Sequence, residues 1–529
     1  MGAGMSAVSH KAEANDENLT SRPPRLVWHR GFWLALGIVT VVHLISLMRT
    51  PAPFVDEAWY ASRAQGFLNT GYGVGALDLG VVEQYPGYEG VYWILGPMLQ
   101  ALVVQVSGIS LFGLRVESLA FGLLLLGLVY SISSRLSNSR AALLAVLIGA
   151  FSVPFTVSAH LARHDIMVAA LGYGAIALCL NDEVRGIPVR ALLAGGLIGL
   201  GLDIHPNIII YVPTIWALYL LEHRTHIWRS ARFWSFNATL GVGILLQIVV
   251  HVLPSWPAYL QVHHMLSGDA HKLPILAPQH SVWYIMGTIL LVGVLSWPLL
   301  MFSLFERLVQ RAVDIRYIKL LVIFWVTTLT FTWIIVNRPG HYSILLAPGF
   351  WLIAGDFVDR IAHMPWRGSR LALIRTVIVL SLLLTPAAVA LRSMVTDSSA
   401  EFESRAAFVR ETIPPDGRVM GVQTWWLALH DRHYISWEQL VFYRRWAGTS
   451  DVSRAFDYLQ PEYLILDETT EQYLVDNIDT FEPNIASSLV QRGDFEQLIQ
   501  ERGILIGEYT KEGSTPVRVY RLSYSPPVR

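Results

Sequence analysis

Two adjacent carboxylates, Asp56 and Glu57, are the residues of this chain best suited to chemistry. They follow an apolar stretch, 31–49, that is long enough to cross a bilayer. A carboxylate at a membrane surface is costly to leave unpaired, so it usually serves chemistry or binds a cation. An aspartate at this position can also cap the helix that begins there. The pair therefore predicts a functional site, with helix capping by Asp56 as the structural alternative.

Other polar residues recur where apolar stretches end. On a helix, Tyr60 and Arg63 share one face with Asp56, because the spacings are four and three. Three more clusters occur in the sequence, namely Arg163-His164-Asp165, Asp203-Ile204-His205-Pro206-Asn207 and Asn337-Arg338-Pro339-Gly340-His341-Tyr342. Each has a simpler interpretation: a local Arg163–Asp165 salt bridge, a helix break closed at His205, and membrane-boundary anchoring by Arg338 and His341. The order of the predicted membrane spans places all these clusters at one membrane face, which favours a single site.

The composition predicts a polytopic membrane protein. Of 529 residues, 53% are hydrophobic and 15% charged, with a mean hydropathy of +0.44, whereas soluble proteins carry about 25% charged residues. The net charge of −1 argues against a nucleic-acid partner. Cys179 is the single cysteine, so no intramolecular disulfide can form.

Eleven apolar stretches are interpreted as membrane spans. They lie at 31–49, 114–133, 141–159, 166–180, 190–204, 207–222, 233–253, 281–304, 317–336, 341–357 and 371–391. A twelfth stretch, 91–107, is interpreted as surface-lying or re-entrant, since a crossing there would move the arginine-rich loops to the outside.

The same rule orients the chain. Residues 1–30 are expected to form a disordered cytoplasmic tail, and 31–394 a membrane domain with a long first outer loop, 50–113. Residues 395–529 regain polar and charged residues and alternate β-like runs with helical stretches. They predict a small extracytoplasmic α/β domain. The protein is thus placed in the plasma membrane.

Missing motifs narrow the chemistry. The sequence has no Walker-type phosphate loop, no dinucleotide-binding glycine fingerprint and no His-Glu-x-x-His zinc motif. His263, His264, His271 and His280 lack a recognised zinc spacing. An enzyme on the outer face without nucleotides needs another activated donor, and a lipid-linked one is the natural candidate.

The order of these motifs resembles the GT-C superfamily of integral membrane glycosyltransferases. The resemblance rests on Asp56-Glu57 in a long first outer loop, Leu114-Arg115 at the start of a following span and Arg163-His164-Asp165 after the next. It covers roughly residues 31–360 and is nearest to the family-39-like group of protein O-mannosyltransferases and aminoarabinose transferases. The chain lacks the large repeats inserted in eukaryotic protein mannosyltransferases, which favours a bacterial enzyme and leaves the acceptor open.

The resemblance implies a polyprenyl monophosphate sugar as donor and inversion at the anomeric carbon. Asp56 would be the general base toward an acceptor hydroxyl of a protein, lipid or glycan. Asp165 would orient the acceptor or hold Arg163. Glu57 would orient the surroundings of Asp56 or bind a divalent cation; no cofactor is certain and metal dependence stays open.

Two further sets of residues are expected at the site. The donor phosphate needs cations or hydrogen-bond donors, for which the candidates are Arg338 and His341, then Arg163 and Arg115. Expected substrate-binding residues are Tyr60, Glu83, His205 and Tyr342. Rival interpretations are a ligase or polymerase using a lipid pyrophosphate oligosaccharide, a secondary transporter and a non-catalytic scaffold. A transporter would place its ionisable residues near the bilayer midplane.

Overall fold

The computed structural model describes most of the chain, and it is mainly helical with a small sheet near the C-terminus. The described residues are 30–78, 87–180, 188–267, 303–305, 307, 313–335, 340–363, single positions between 373 and 395, and 399–449, 451–477, 489–511 and 516–524.

The helices of the first part of the chain follow the apolar stretches. They are α1 (Arg30–Ser46), α2 (Val55–Thr70), α3 (Leu95–Ser107), α4 (Leu111–Leu136), α5 (Ser139–Ala150), α6 (Val153–Ala159), α7 (Asp165–Cys179), α8 (Val189–Leu202), α9 (Tyr211–His223), α10 (Ala231–Gln247), α11 (Trp256–Ser267), α12 (Ile315–Ile334) and α13 (Ala347–His363). Short 3₁₀ segments occupy Ala76–Asp78, Tyr88–Val91, Pro206–Ile210, Arg224–Arg229 and Gly340–Leu345, and α10 continues as one π-helical turn, Ile248–Val252.

Three of these helices are long and apolar enough to cross a membrane, namely Leu111–Leu136, Ala231–Val252 and Ile315–Ile334. The pair α5 and α6 together forms a fourth candidate, bent by 62°. The bend falls at Ser152, whose hydroxyl caps α6 just before Pro154, a residue that suits the first turn of a helix. Almost all residues of the predicted spans 281–304 and 371–391 lie outside the part of the chain that the structure describes. The count of eleven therefore stays a prediction.

Helix α3 covers most of the apolar stretch 91–107. Its 13 residues extend about 20 Å at 1.5 Å per residue, shorter than the roughly 30 Å hydrocarbon core. It packs against α2 and α4, while Val106 is 90% exposed. Helix α9, which overlaps the predicted span 207–222, also has 13 residues, so the surface-lying or re-entrant placement of α3 stays a prediction.

The core of the membrane part surrounds α4 and α7. Large side chains such as Tyr130, Tyr173, Tyr211 and Trp351 are fully buried there. The Tyr211 hydroxyl donates to the carbonyl of Leu345 at 2.9 Å, and this bond fixes the 3₁₀ segment before α13.

The predicted orientation can be tested by thiol labelling in a Cys179→Ser background. Ser107 ends α3 at one end of α4, whereas Ser139 begins α5 at the other, and Ser404 lies in the C-terminal region. We expect Ser107→Cys and Ser404→Cys to react with a membrane-impermeant maleimide in intact cells, and Ser139→Cys to react only after permeabilisation. The reverse pattern would contradict the predicted placement of Asp56 and Asp165 on the outer side.

The C-terminal residues form a five-stranded sheet from β1 (Arg418–Gly421), β2 (His433–Ser436), β3 (Tyr463–Leu466), β6 (Gly503–Tyr509) and β7 (Val517–Leu522). The strand order is β2-β1-β3-β7-β6. Strands β2, β1 and β3 are parallel, whereas β7 is antiparallel to β3 and to β6. A separate two-stranded sheet is formed by β4 (Leu474–Val475) and β5 (Val490–Gln491). The helices are α14 (Ala400–Thr412), α15 (Trp426–Leu429), α16 (Trp437–Ala447), α17 (Val452–Leu459), α18 (Glu468–Glu471) and α19 (Arg492–Arg502).

This sheet region packs on helix α2. Ala58, Ala61 and Ala64 of α2 share one buried apolar cluster with Trp425 and Trp426. The helix that carries Asp56 is thereby held between the membrane helices and the C-terminal sheet.

Candidate active site

Asp56 lies in the first turn of α2 and is 30% exposed. The N-cap position belongs to Phe54, and the Glu57 carboxylate accepts the Phe54 N–H at 2.9 Å. The capping function that the sequence offered to Asp56 is thus carried out by Glu57. Asp56 is free to contact Arg163, with which it forms an ion pair.

Arg163 connects two carboxylates. Its Nε donates to Asp165 at 2.8 Å, while its other end contacts Asp56. Arg163 and Asp165 are only 4% and 3% exposed. The local salt bridge considered from the sequence exists, and it also belongs to the site. One guanidinium and two carboxylates leave this triad with one net negative charge when all are ionised.

Glu57 and Arg115 form a different structure behind the triad. Arg115 binds the Glu57 carboxylate through two hydrogen bonds of 2.9 and 2.8 Å, and both side chains are fully buried. Arg115 also donates to the carbonyls of Leu47 and Pro51, and Glu57 accepts the N–H of Ala162. This pair ties α1, α2, α4 and the loop before Arg163 together. The guanidinium of Arg115 is thus already bound to protein groups, which favours a structural role, and the predicted phosphate-binding role stays a prediction.

Three histidines surround the triad. Burial lowers the pKa of His164 to about 3 and the pKa of His205 to about 4, so both are neutral at pH 7. His205 accepts the N–H of Asn207 through Nδ1, which leaves Nε2 as a donor. Both ring nitrogens of His164 are buried without a hydrogen-bond partner among the described residues. His341 packs on Tyr342 with ring centroids 4.9 Å apart.

Aromatic rings line the same space. The guanidinium of Arg163 lies 5.7 Å from the Phe54 ring and 6.0 Å from the rings of both Tyr60 and Tyr342. The Tyr60 ring is 4.1 Å from His164. Tyr60, His205 and Tyr342, all predicted as substrate-binding residues, are therefore brought together around Arg163.

An apolar cavity of about 400 Å³ lies beside the triad. It is lined by Pro51, Ala52, Phe54, Val153, Pro154, Val157, Leu161, His341 and Ser343. Phe54 belongs both to this cavity and to the ring of aromatics over Arg163. The site thus offers a charged centre next to a space that suits an apolar chain.

Several predicted residues lie elsewhere. Arg63, on the face of α2 expected for Asp56, turns to Asp78 through hydrogen bonds of 2.9 to 3.2 Å. Glu83 and Arg338 lie outside the described residues, as do the side chains of the histidines considered for zinc. In the part of the chain that the structure describes, no three His, Cys, Asp or Glu residues are arranged to hold a metal ion.

The structure adds residues that sequence reasoning did not assign to the site. His164 was named only within its cluster, without a role, and Phe54, two positions before Asp56, was given no role in the site.

Comparison with known proteins identifies the fold. Residues 94–256 match a family described as dolichyl-phosphate-mannose-protein mannosyltransferase. The structure of ArnT from Cupriavidus metallidurans matches with a TM-score of 0.58 at 14% identity, covering 92% of this chain and 97% of that one. The fold is that of the GT-C glycosyltransferases.

Two other structures agree with this result. ArnT bound to undecaprenyl phosphate matches with a TM-score of 0.57 at 14% identity, covering 93% of this chain and 98% of that one. The Archaeoglobus fulgidus oligosaccharyltransferase matches with a TM-score of 0.53 at 13% identity, covering 94% and 75%. A search of curated proteins returned no match. The GT-C resemblance predicted from the sequence is thereby confirmed.

Proposed function

We propose that this protein is an inverting membrane glycosyltransferase that takes a sugar from a polyprenyl monophosphate and transfers it to an acceptor hydroxyl on the outer face of the plasma membrane. One observation carries the proposal. Of the three predicted catalytic carboxylates, Asp56 is 30% exposed, whereas Asp165 is 3% exposed and Glu57 is fully buried. An accessible carboxylate held by a buried arginine suits a general base.

The reaction assigns a separate task to each member of the triad. The acceptor oxygen attacks the anomeric carbon while its proton passes to Asp56, and the bond from that carbon to the phosphate oxygen breaks. Polyprenyl phosphate leaves with the bonding electrons. Arg163 pairs with the Asp56 carboxylate, and the ionised carboxylate is the form that accepts a proton. Asp165 holds the other edge of Arg163 and so fixes where the Asp56 carboxylate stands.

The donor class is supported by the comparisons. The matched family acts, by its description, with dolichyl-phosphate-mannose, and one matched structure of ArnT holds undecaprenyl phosphate. The apolar cavity beside Phe54 provides room for an alkyl chain of the donor or the acceptor. We therefore favour a lipid monophosphate over a soluble sugar nucleotide.

Arg338 is the proposed contact for the donor phosphate. Around the described site, the guanidinium groups of Arg63, Arg115 and Arg163 each bind a carboxylate, and burial keeps His164 and His205 neutral. A further cation is needed for the leaving phosphate. Arg338 stands three residues before His341, which lines the apolar cavity.

A lipid pyrophosphate donor is the second candidate, since a matched structure is an oligosaccharyltransferase. Purified protein should be incubated with a polyprenyl monophosphate sugar or a polyprenyl pyrophosphate sugar, and released lipid phosphate measured by mass spectrometry. We expect turnover with the monophosphate only. Arg338→Lys should raise the KM for this donor about tenfold, equal to about 1.4 kcal/mol, because lysine lacks the two-pronged geometry that arginine presents to phosphate.

The matched control for this assay is Arg49→Lys. Arg49 follows α1 and is exposed. If Arg338 only anchors the chain at the membrane boundary, both substitutions by lysine should be tolerated equally. Unchanged donor kinetics in Arg338→Lys would contradict the phosphate contact. Release of lipid pyrophosphate would instead favour the second candidate function.

A further inference from the structure

Asp203 and His251 form an ion pair away from the catalytic triad. Asp203 follows α8 and His251 lies in the π-helical turn that extends α10; the two are joined at 2.8 Å. Asp203 also accepts the backbone N–H groups of Ile94 and Leu95 at 3.2 and 3.0 Å. The carboxylate therefore binds the start of α3 as well as the histidine.

The hydrogen bonds around His251 determine its protonation state. Nε2 faces the Asp203 carboxylate, and Nδ1 faces the carbonyl oxygen of Gly90 at 2.8 Å. Both partners are acceptors, so both ring nitrogens must carry a proton to satisfy them. The arrangement is complete only when His251 is the imidazolium ion.

The segment held in this way, residues 90–96, forms a wall of the active site. Its Trp93 ring lies 5.0 Å from the His205 ring. Gly96 lies directly against His164, since a Cβ added there would stand 2.5 Å from Cε1 of the imidazole. A shift of this segment would thus move the surroundings of two histidines that border the triad.

We infer that Asp203 and His251 are positioning residues that clamp segment 90–96 against the active site and that the clamp opens when His251 loses its proton. This inference rests on the proposed function for its catalytic consequence. Neither residue touches the reacting atoms; each acts through the wall that it holds.

The pair is not sealed inside the protein. It lies at the side of an open apolar cavity of about 430 Å³ between α8 and α10, which Gln247 also lines. Asp203 is 23% exposed and His251 is 4% exposed. The groups that contact the His251 ring are the Asp203 carboxylate, at the end of α8, and the Gly90 carbonyl. The titratable residues of the neighbouring elements are Tyr88 and Glu89, in the segment that carries Gly90, and Tyr259 of α11, which packs on the same turn.

The sign of the pH effect follows from these partners. The Asp203 carboxylate and the Gly90 carbonyl can both be satisfied only by the protonated ring of His251, and a free histidine titrates near about pH 6.5. The contribution of the clamp is therefore complete at pH values below this and is lost as pH rises through the titration of His251 in the folded protein. We therefore expect the rate of sugar transfer to fall at alkaline pH because the clamp is lost.

Hydrogen–deuterium exchange of the full-length protein in detergent tests the clamp without relying on catalysis. Amides of Ile94 and Leu95 should exchange faster in Asp203→Asn and His251→Gln than in the wild type, after correction for intrinsic exchange. The wild type itself should show this change when pH is raised, which requires no substitution. His433→Gln, at an exposed histidine of β2, is the matched control and should behave as the wild type.

Kinetics supply the second readout. We expect turnover to fall about tenfold to hundredfold in each variant, the size typical of a small misplacement of catalytic surroundings, with little change in KM. The alkaline limb of the wild-type pH profile should disappear in His251→Gln, and the double variant should lose no more than either single one.

The outcomes separate the two proposals. Wild-type exchange at Ile94 and Leu95 in both variants would overturn the clamp. Faster exchange with unaltered turnover and an unaltered pH profile would also overturn it, because the pair would then be a structural tie only. Absence of sugar transfer by the wild type would overturn the proposed function, while the exchange data would still decide whether the clamp exists.

Discussion

Asp56→Asn is expected to reduce sugar transfer by about 10²–10⁴-fold, the usual contribution of a general base, while the protein still folds and inserts. The amide keeps nearly the same shape but cannot accept the acceptor's proton. Arg163 also keeps one carboxylate partner, Asp165, so its buried positive charge remains paired. Transfer should be measured with a purified polyprenyl monophosphate sugar, and folding by thermal unfolding in detergent.

The control for this substitution is Asp416→Asn, at an exposed turn of the C-terminal region. It makes the same chemical change away from the site and should leave transfer unaltered. Near wild-type turnover in Asp56→Asn would exclude Asp56 as the base.

The helical architecture was predictable because its signal is local. Apolar stretches of adequate length predicted α4, α10 and α12 within a few residues, since a membrane helix satisfies all its own backbone hydrogen bonds. The mixture of strands and helices expected over 395–529 is also present in the described residues, from Ala400–Thr412 to Val517–Leu522. The sheet order was not predicted, because it depends on pairing between distant strands.

The site was predictable as a set of residues and not as a set of contacts. Asp56 and Arg163 were both named, but their ion pair joins positions far apart in the sequence. The same is true of Asp203 and His251, whose partnership needs two helices to meet. Glu57 shows the limit most clearly, because its place beside Asp56 suggested shared chemistry while the fold uses it to cap α2 and to bind Arg115.

Arg115→Met is expected to destabilise the protein by about 3–5 kcal/mol, the usual effect of removing one partner of a buried ion pair. Glu57 would be left as an uncompensated charge with no solvent contact. The carbonyls of Leu47 and Pro51 would also lose their donor. The free energy of unfolding should be measured by denaturant titration in mixed micelles.

Glu57→Gln should have a smaller effect than Arg115→Met. The glutamine can still accept hydrogen bonds, and Arg115 keeps the carbonyls of Leu47 and Pro51 as partners. The double variant Glu57→Gln/Arg115→Met should be more stable than Arg115→Met alone, because no buried carboxylate then remains. A phosphate-binding role for Arg115 makes the opposite prediction: stability would change little, and the KM for the lipid-phosphate donor would rise in Arg115→Met whether or not Glu57 is replaced. The two measurements together therefore decide whether this arginine supports the fold or binds the substrate.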